Sequence, residues 1–578
     1  MEVTKDINIL PDSNSRSGLS YVECKFVTYV PSDEYNGRPD MHYVKEVYHY
    51  KDGSNVANFR PIKNYKRLFW ITKPIYRKYQ DKKESELLSR VDTFKSTQSD
   101  LGRAVASKLG SRYIGCKYLR DVADSPYFYG GSTTAADEIM YRYAKRAPDN
   151  SFTNNELATL DIEVDTDTNE IILISVCRHK EIYTTILRSM LPHNDDKLII
   201  ENLNKMFRKY IPDETVANET KLTYDICDTE VDVIRNAINT AHRWQPDFLA
   251  IWNMAYDIPE IVKRLEHFNI DPKDVFSDPR LDDNLKYFKW KQGVAQAVTE
   301  SGKVKSRQPR EIWSVVTTPA SFYIIDAMTA YNYVRAGQKQ NPTGYSLNAI
   351  LDLHLGSKFK KLHFDDENTI DMTTLEWHKY MVANKPLEYI IYNQWDTMSM
   401  IFLDDEIKDL QVKIRALSML ADYDNFNSGP KKIVTNMTWF YLERGRVLGT
   451  RPTQPFKDAP LPLGSSEEDD SGWIVMLNID QVTDSSRTNN IDGVDEVTTG
   501  IRGNTGDSDA VSAYPSCINV ANVSKDTTLR EVIKVGDVPF ADFKNQNINI
   551  MFGPVNSISY MSTMCNFPTL YDIYEQIK

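Results

Sequence analysis

Residues 157–176 read LATLDIEVDTDTNEIILISV. Two apolar, β-branched runs flank a turn of Asp, Thr and Asn, the pattern of paired antiparallel strands. Two acids, Asp161 and Glu163, interrupt the first run. Two positions apart on a strand, they leave from one face, while Ile162 between them points to the other face and into a core. A carboxylate set among apolar neighbours is costly to bury unless a cation accompanies it. Two carboxylates on one surface supply a bridging and a terminal ligand for a hard cation.

Two further segments repeat this setting. In FLAIWNMAYDIPEIVKRL (248–265), Asp257 stands where a short buried strand gives way to a helix. Pro259 falls in the expected first turn of that helix, where its missing N–H does no harm. In LEYIIYNQWDTMSMIFL (387–403), Tyr392 and Asp396 are four apart and share a helix face. Four acids in three apolar segments predict a shared pair of divalent ions. Two ions ~3.5–4 Å apart activate a water and stabilise a leaving oxygen, which is phosphodiester chemistry. Tyr392 is placed to orient that water. No histidine occurs in the three segments, so zinc is disfavoured, and all-oxygen ligation predicts Mg²⁺ or Mn²⁺.

Composition sets the wider bounds. A chain of 578 residues exceeds a single core and predicts about three or four domains. Hydrophobic residues make up 41% and charged residues 26%, an ordinary globular balance. Residues 1–18 are polar, with no apolar centre of a secretory signal, and no apolar run approaches the ~18 residues of a membrane span. A cytoplasmic protein without a membrane partner is expected. Cys24, Cys116, Cys177, Cys227, Cys517 and Cys565 are scattered without a CxxC pair, which predicts reduced thiols. The net charge of −12 argues against nucleic acid only as a global sum, because DNA responds to the local field and metal-binding carboxylates are neutralised in use. Two basic, aromatic-laced stretches, 64–83 and 285–310, are either DNA-contacting surfaces or solvated faces with long aliphatic stems.

Along the chain, residues 1–155 mix β-like runs (YVECKFVTYV, HYVKEVYHY) with one stretch read as helical, KKESELLSRVDTF (82–94). From 156 to 410, TLDIEV, IILISVCR and EIYTTIL predict an antiparallel meander, DKLIIENLNKMFRKYI a helix, DFLAIWNM a strand and IPEIVKRLEHF a helix, giving the order β-β-β-α-β-α. The expected class is α/β, within an α+β multidomain chain. Beyond 411 the pattern loosens into polar linkers, with a strand at GWIVMLNI (472–479) and a final helix at TLYDIYEQIK (569–578). The acidic loop 465–470 reads as a linker or a partner contact.

Asp161-Ile162-Glu163, Asn253-x-x-Tyr256-Asp257 and Tyr392-x-x-x-Asp396 resemble the three exonuclease motifs of family B DNA polymerases, in the tyrosine-containing DEDD form. The surroundings, ADEIMYRYAKRAPD (136–149), IIDAMTAYNYV (324–334) and GYSLNAILDLHLG (344–356), are similar to the replicative polymerases of T-even-like bacteriophages. This chain has two residues between Asn253 and the Tyr256-Asp257 pair where most relatives have three. The resemblance implies an RNase H-like exonuclease core at 156–410, an N-terminal domain at 1–155, and a linker with a partial palm at 411–578. It implies that Asp161, Glu163 and Asp396 hold one ion and Asp161 and Asp257 the other, with Asn253 and Tyr256 on the DNA. DAVSAYPS (509–516) is similar to polymerase motif A, with Asp509 as a metal ligand and Ser512, Ala513 and Tyr514 at the nucleotide; Ala513 replaces the usual Leu. Neither K-x-x-x-N-S-x-Y-G nor D-T-D-S, the remaining polymerase motifs, follows Asp509. Asp165–Thr168 and Thr483–Ser485 imitate the latter but precede motif A.

The expectation is the N-terminal part of a split phage polymerase: a 3′→5′ proofreading exonuclease acting in the host cytoplasm on single-stranded 3′ ends and primer-template DNA. Deoxynucleoside triphosphates would bind only with a second polymerase chain, and a sliding clamp is a further expected partner. The rival readings are a stand-alone exonuclease with a vestigial palm and a non-catalytic DNA-binding assembly subunit. Residues 288–313 are read as a β-hairpin that separates primer end from template.

Overall fold

A computed structural model describes residues 18–450 apart from 80–82, 84, 148–151, 193–194, 299–303, 337–341, 343, 365–368, 370–371 and 419. Asp509, Ser512, Ala513, Tyr514, the acidic loop 465–470 and the elements expected at 472–479 and 569–578 lie outside the described residues.

The alternating runs near the N-terminus form β1 (Leu19–Val30), β2 (Met41–Tyr50) and β3 (Asn55–Lys63), one antiparallel sheet. Next come β4 (Arg67–Thr72), β5 (Ser85–Leu87), β6 (Val91–Ser96), α1 (Leu101–Leu109), β7 (Phe128–Tyr129) and α2 (Ala135–Ala144). The stretch 82–94 read as helical is therefore a correction. Its Val91, Thr93 and Phe94 pair with β4, so long-range strand pairing overrides the local preference of a Glu- and Leu-bearing segment. In the basic stretch 64–83, Arg67 is fully buried and donates to the carbonyls of Gly130 and Thr133, which makes it structural.

The central body follows. It starts with β8 (Leu157–Val164), β9 (Ile171–Arg178), β10 (Glu181–Leu187), α3 (Asp196–Tyr210), α4 (Glu214–Glu219), β11 (Lys221–Cys227), α5 (Glu230–Trp244), β12 (Phe248–Ile251), α6 (Met254–His267) and α7 (Lys273–Phe276). It continues with β13 (Lys289–Lys291), β14 (Gln296–Val298), β15 (Val304–Ser306), β16 (Val315–Thr317), β17 (Tyr323–Asp326), α8 (Ala327–Val334) and α9 (Leu347–Leu355). The last elements are α10 (Thr374–Asn384), α11 (Pro386–Ile407), α12 (Ile414–Ser418), α13 (Gly429–Glu443) and β18 (Arg446–Leu448). A mixed six-stranded sheet runs β11-β10-β9-β8-β12-β17. β8, β9 and β10 form the antiparallel meander, while β11 runs parallel to β10, and β12 and β17 extend the other side in parallel. The protein is thus a mixed α/β structure.

Three local expectations need correction. The order β-β-β-α-β-α lacks α4, β11 and α5: β11 carries Lys221 and Asp225, which break the apolar pattern on a strand at the sheet edge. α6 begins at Met254, four residues before the expected start, so Pro259 lies beyond its first turn and forgoes the bond to the Ala255 carbonyl. Beyond 411 the chain is ordered through α13, whose Ser428 caps the Lys431 amide. The expected hairpin is present in the backbone, where β14 pairs with β15 in antiparallel register. None of the helices among the described residues is long and apolar enough to cross a membrane.

The first sheet meets the central body through buried charge. Lys25 Nζ lies 3.4 Å from Asp247 and donates to Thr153 Oγ1 at 2.9 Å. Arg415 donates to the carbonyls of Cys24 and Lys25 and pairs with Glu23 at 3.1 Å. Such groups contribute mainly by fixing geometry, since each was desolvated at a cost that its partners offset.

Candidate metal centre

β8 brings Asp161 and Glu163 out on one face, and a register shift just past Glu163 turns the strand there. α11 lies across that face. Thr159 Oγ1 donates to the Thr397 carbonyl at 2.8 Å, and Gln394 Nε2 donates to Thr184 Oγ1 at 2.9 Å. This docking delivers Asp396 to the two strand acids, and the ligand oxygens of Asp161, Glu163 and Asp396 all lie within 4.8 Å of one another.

The fourth expected acid is placed differently. Asp257, in the first turn of α6, is outside that group of three. It is buried, and after desolvation the charge of Asp161 is the largest cause that raises its pKa, so it flanks the cluster on the Asp161 side. α6 is held by Arg264, which makes a bidentate pair with Glu230 (2.7 and 2.6 Å), and Glu230 also accepts the Ile171 amide at the start of β9. Arg264→Ala leaves Glu230 buried without its cation and should cost about 3 kcal/mol in urea unfolding; an unchanged midpoint would refute this anchoring role.

The electrostatics are those of a buried acidic cluster. Burial, then Asp396, pushes the Asp161 carboxyl up to about 7. Glu163 is raised well above the usual range by burial and by Asp161. Asp396 is also raised: burial outweighs the opposing pull of Lys361. Lys361, on the loop before α10, donates to Asp396 Oδ2 at 2.5 Å and to the Tyr392 hydroxyl at 3.0 Å. The loop is tied down by the Lys361 amide on Asn348 and by Trp395 Nε1 on the Lys360 carbonyl. Asp396 Oδ1, by contrast, is buried with no hydrogen-bond partner among the described residues. An orphaned carboxylate oxygen beside two more carboxylates is a donor set that fits a hard divalent cation. Asp326 shows the alternative: equally buried, it is satisfied by the amides of Thr329 (2.7 Å) and Met254 (3.1 Å) and is structural.

Raised carboxyl pKa values carry a sign for stability. Their contribution is complete below the unfolded-state values and is lost as pH rises through the folded ones, for Asp161 near 7. In EDTA the melting temperature should fall between pH 5 and 8 more steeply than in an Asp161→Asn chain, and added Mg²⁺ should help most at pH 8. Parallel pH profiles for the two chains would contradict this.

Of the remaining expected residues, Asn253 precedes α6 and its carbonyl accepts the Tyr256 amide. Tyr256 is 51% exposed, and the charges of Asp257, Glu163 and Asp161 all raise its hydroxyl's pKa, though burial and Glu260 do so more. Its ring therefore stands at the open edge of the cluster. Tyr392 is buried beside Asp396 and Lys361. Sequence reasoning missed four residues. Asn393 Nδ2 donates to Asp161 Oδ2 at 2.8 Å, Tyr389 donates to Glu163 Oε2 at 2.5 Å, and His378 Nδ1 meets the Tyr389 hydroxyl at 2.6 Å; Lys361 is the fourth. Tyr389, Tyr392, Asn393 and Asp396 recur at i, i+3, i+4 and i+7, a polar stripe on an otherwise apolar helix that was a usable signal. Lys361 and His378 had none. Comparison with protein-family models and with curated protein sequences finds no match for this chain.

Proposed function

We propose that this chain is a metal-dependent 3′→5′ exodeoxyribonuclease, the proofreading part of a phage-type family B DNA polymerase with an RNase H-like core. The carrying observation is the cluster of Asp161, Glu163 and Asp396 with the unpartnered Asp396 Oδ1, beside which Asp257 and Tyr392 lie. The mixed sheet with a helix crossing the acidic face supports the reading. Bound Mg²⁺ or Mn²⁺ would supply the positive charge that activates a water and stabilises the leaving 3′-oxygen. Asp161, Glu163, Asp396 and Asp257 would hold the ions. Lys361 restrains Asp396 and donates to the Tyr392 hydroxyl, which lies beside Asp396 and would face the attacking water. Half-exposed Tyr256 offers a face on which the terminal base stacks. Water adds to the terminal phosphorus, the bond to the 3′-oxygen breaks, and a nucleoside 5′-monophosphate leaves.

The polymerase half of the proposal rests on the resemblance of residues 509–516 to motif A and requires a second chain for motifs B and C. The test uses a 5′-labelled single strand with the full chain. A ladder shortening from the 3′ end, abolished by EDTA and restored by Mg²⁺, is expected. Intact DNA at every Mg²⁺ and Mn²⁺ concentration would overturn the nuclease reading and leave the assembly-subunit alternative.

A further inference from the structure

The Glu163 carboxylate is held by a phenol. Tyr389 donates to its Oε2 at 2.5 Å, and no hydrogen bond takes Oε1 among the described residues. A hydroxyl has a single proton, and with Glu163 ionised, the form that binds a cation, it is committed to Glu163. The 2.6 Å contact between the Tyr389 oxygen and His378 Nδ1 therefore requires the imidazole to donate, which fixes the Nδ1–H tautomer. The result is a directed chain from His378 through Tyr389 to Glu163. Packing holds it in place: the Tyr389 and Tyr392 rings stack 5.8 Å apart at 7°, and Trp377 meets both edge-on.

We propose that His378 and Tyr389 are positioning residues that hold Glu163 with Oε2 towards α11 and Oε1 free for a divalent cation. The inference rests on the metal reading above. A free Glu side chain loses up to about 2 kcal/mol of rotamer freedom when fixed, and the chain incurs that loss before any ion arrives. Partners that orient a ligand in this way typically matter by about 10–100-fold in metal affinity.

The test is calorimetric titration of Mn²⁺ into the full chain without DNA, comparing the parent with Tyr389→Phe, His378→Gln, the double variant and Asp161→Ala. Tyr389→Phe should bind Mn²⁺ about 10–100-fold more weakly, with a melting temperature in EDTA equal to the parent's. His378→Gln should weaken binding by a smaller factor and add nothing in the Tyr389→Phe background, because the two act in series. Parent-like Mn²⁺ affinity in Tyr389→Phe, with Asp161→Ala impaired, overturns this proposal and leaves the metal reading intact. A parent that does not bind Mn²⁺, or an Asp161→Ala chain that binds it equally well, overturns both. If Tyr389→Phe does not fold, His378→Gln decides: unchanged affinity refutes the positioning role.

Discussion

A chain carrying Asp161→Ala and Glu163→Ala is expected to shorten single-stranded DNA at least about 10³-fold more slowly than the parent. A metal site contributes several kcal/mol of transition-state charge stabilisation, and each 1.36 kcal/mol is about tenfold in rate. Both side chains leave the same face of β8, so the double substitution removes two of the three clustered carboxylates without a new charge. The Ile162 side chain, which faces the core, stays in place. Removing two buried carboxylates should also raise the melting temperature in EDTA at pH 8, since burial and a neighbouring carboxylate raise the pKa of each, Asp396 acting on Asp161 and Asp161 on Glu163. Lost nuclease activity together with a gain in metal-free stability is the signature of a site strained for function. Parent-like hydrolysis by the double variant would end the assignment.

Lys361→Met should be the most destabilising single change at the site. Asp396 is about 1% exposed and pairs with the Lys361 ammonium. Breaking a buried pair by removing one partner costs about 3–5 kcal/mol. Without the ammonium, the folded-state pKa of Asp396 rises further above its unfolded value, so the neutral carboxyl becomes the stable form. The penalty is therefore small near pH 4 and grows towards pH 8. Divalent metal should recover part of the loss at pH 8, because a bound cation takes over the neutralising role. Urea unfolding at pH 5 and pH 8, in EDTA and in Mg²⁺, reads all three expectations. Equal unfolding midpoints for parent and variant in EDTA at pH 8 would show that Lys361 does not compensate Asp396.

The meander β8–β9–β10 and the helix α3 were legible because each carries apolar residues at its own period, and the turn between β8 and β9 is written in Asp, Thr and Asn. Asp161, Glu163 and Asp396 were legible as acids that their apolar surroundings leave unsatisfied. β6 was not, because its strand character comes from the partner β4, 29 residues upstream at Arg67↔Ser96 and 19 at Thr72↔Val91. Over such a separation no local rule sees the pairing, and the same holds for β11, whose polar side chains suit a sheet margin.

By itself, then, the order of residues determined which side chains share a face, since periods of 2 and 3.6 are properties of the backbone alone. That placed Asp161 beside Glu163, and Tyr392 beside Asp396. Only the tertiary structure decided which faces meet: α11 docked on β8 assembles the three carboxylates, α6 sets Asp257 to their flank, the loop before α10 brings in Lys361, and α10 itself brings in His378. Such contacts depend on packing between elements far apart in the chain, where no periodicity reaches.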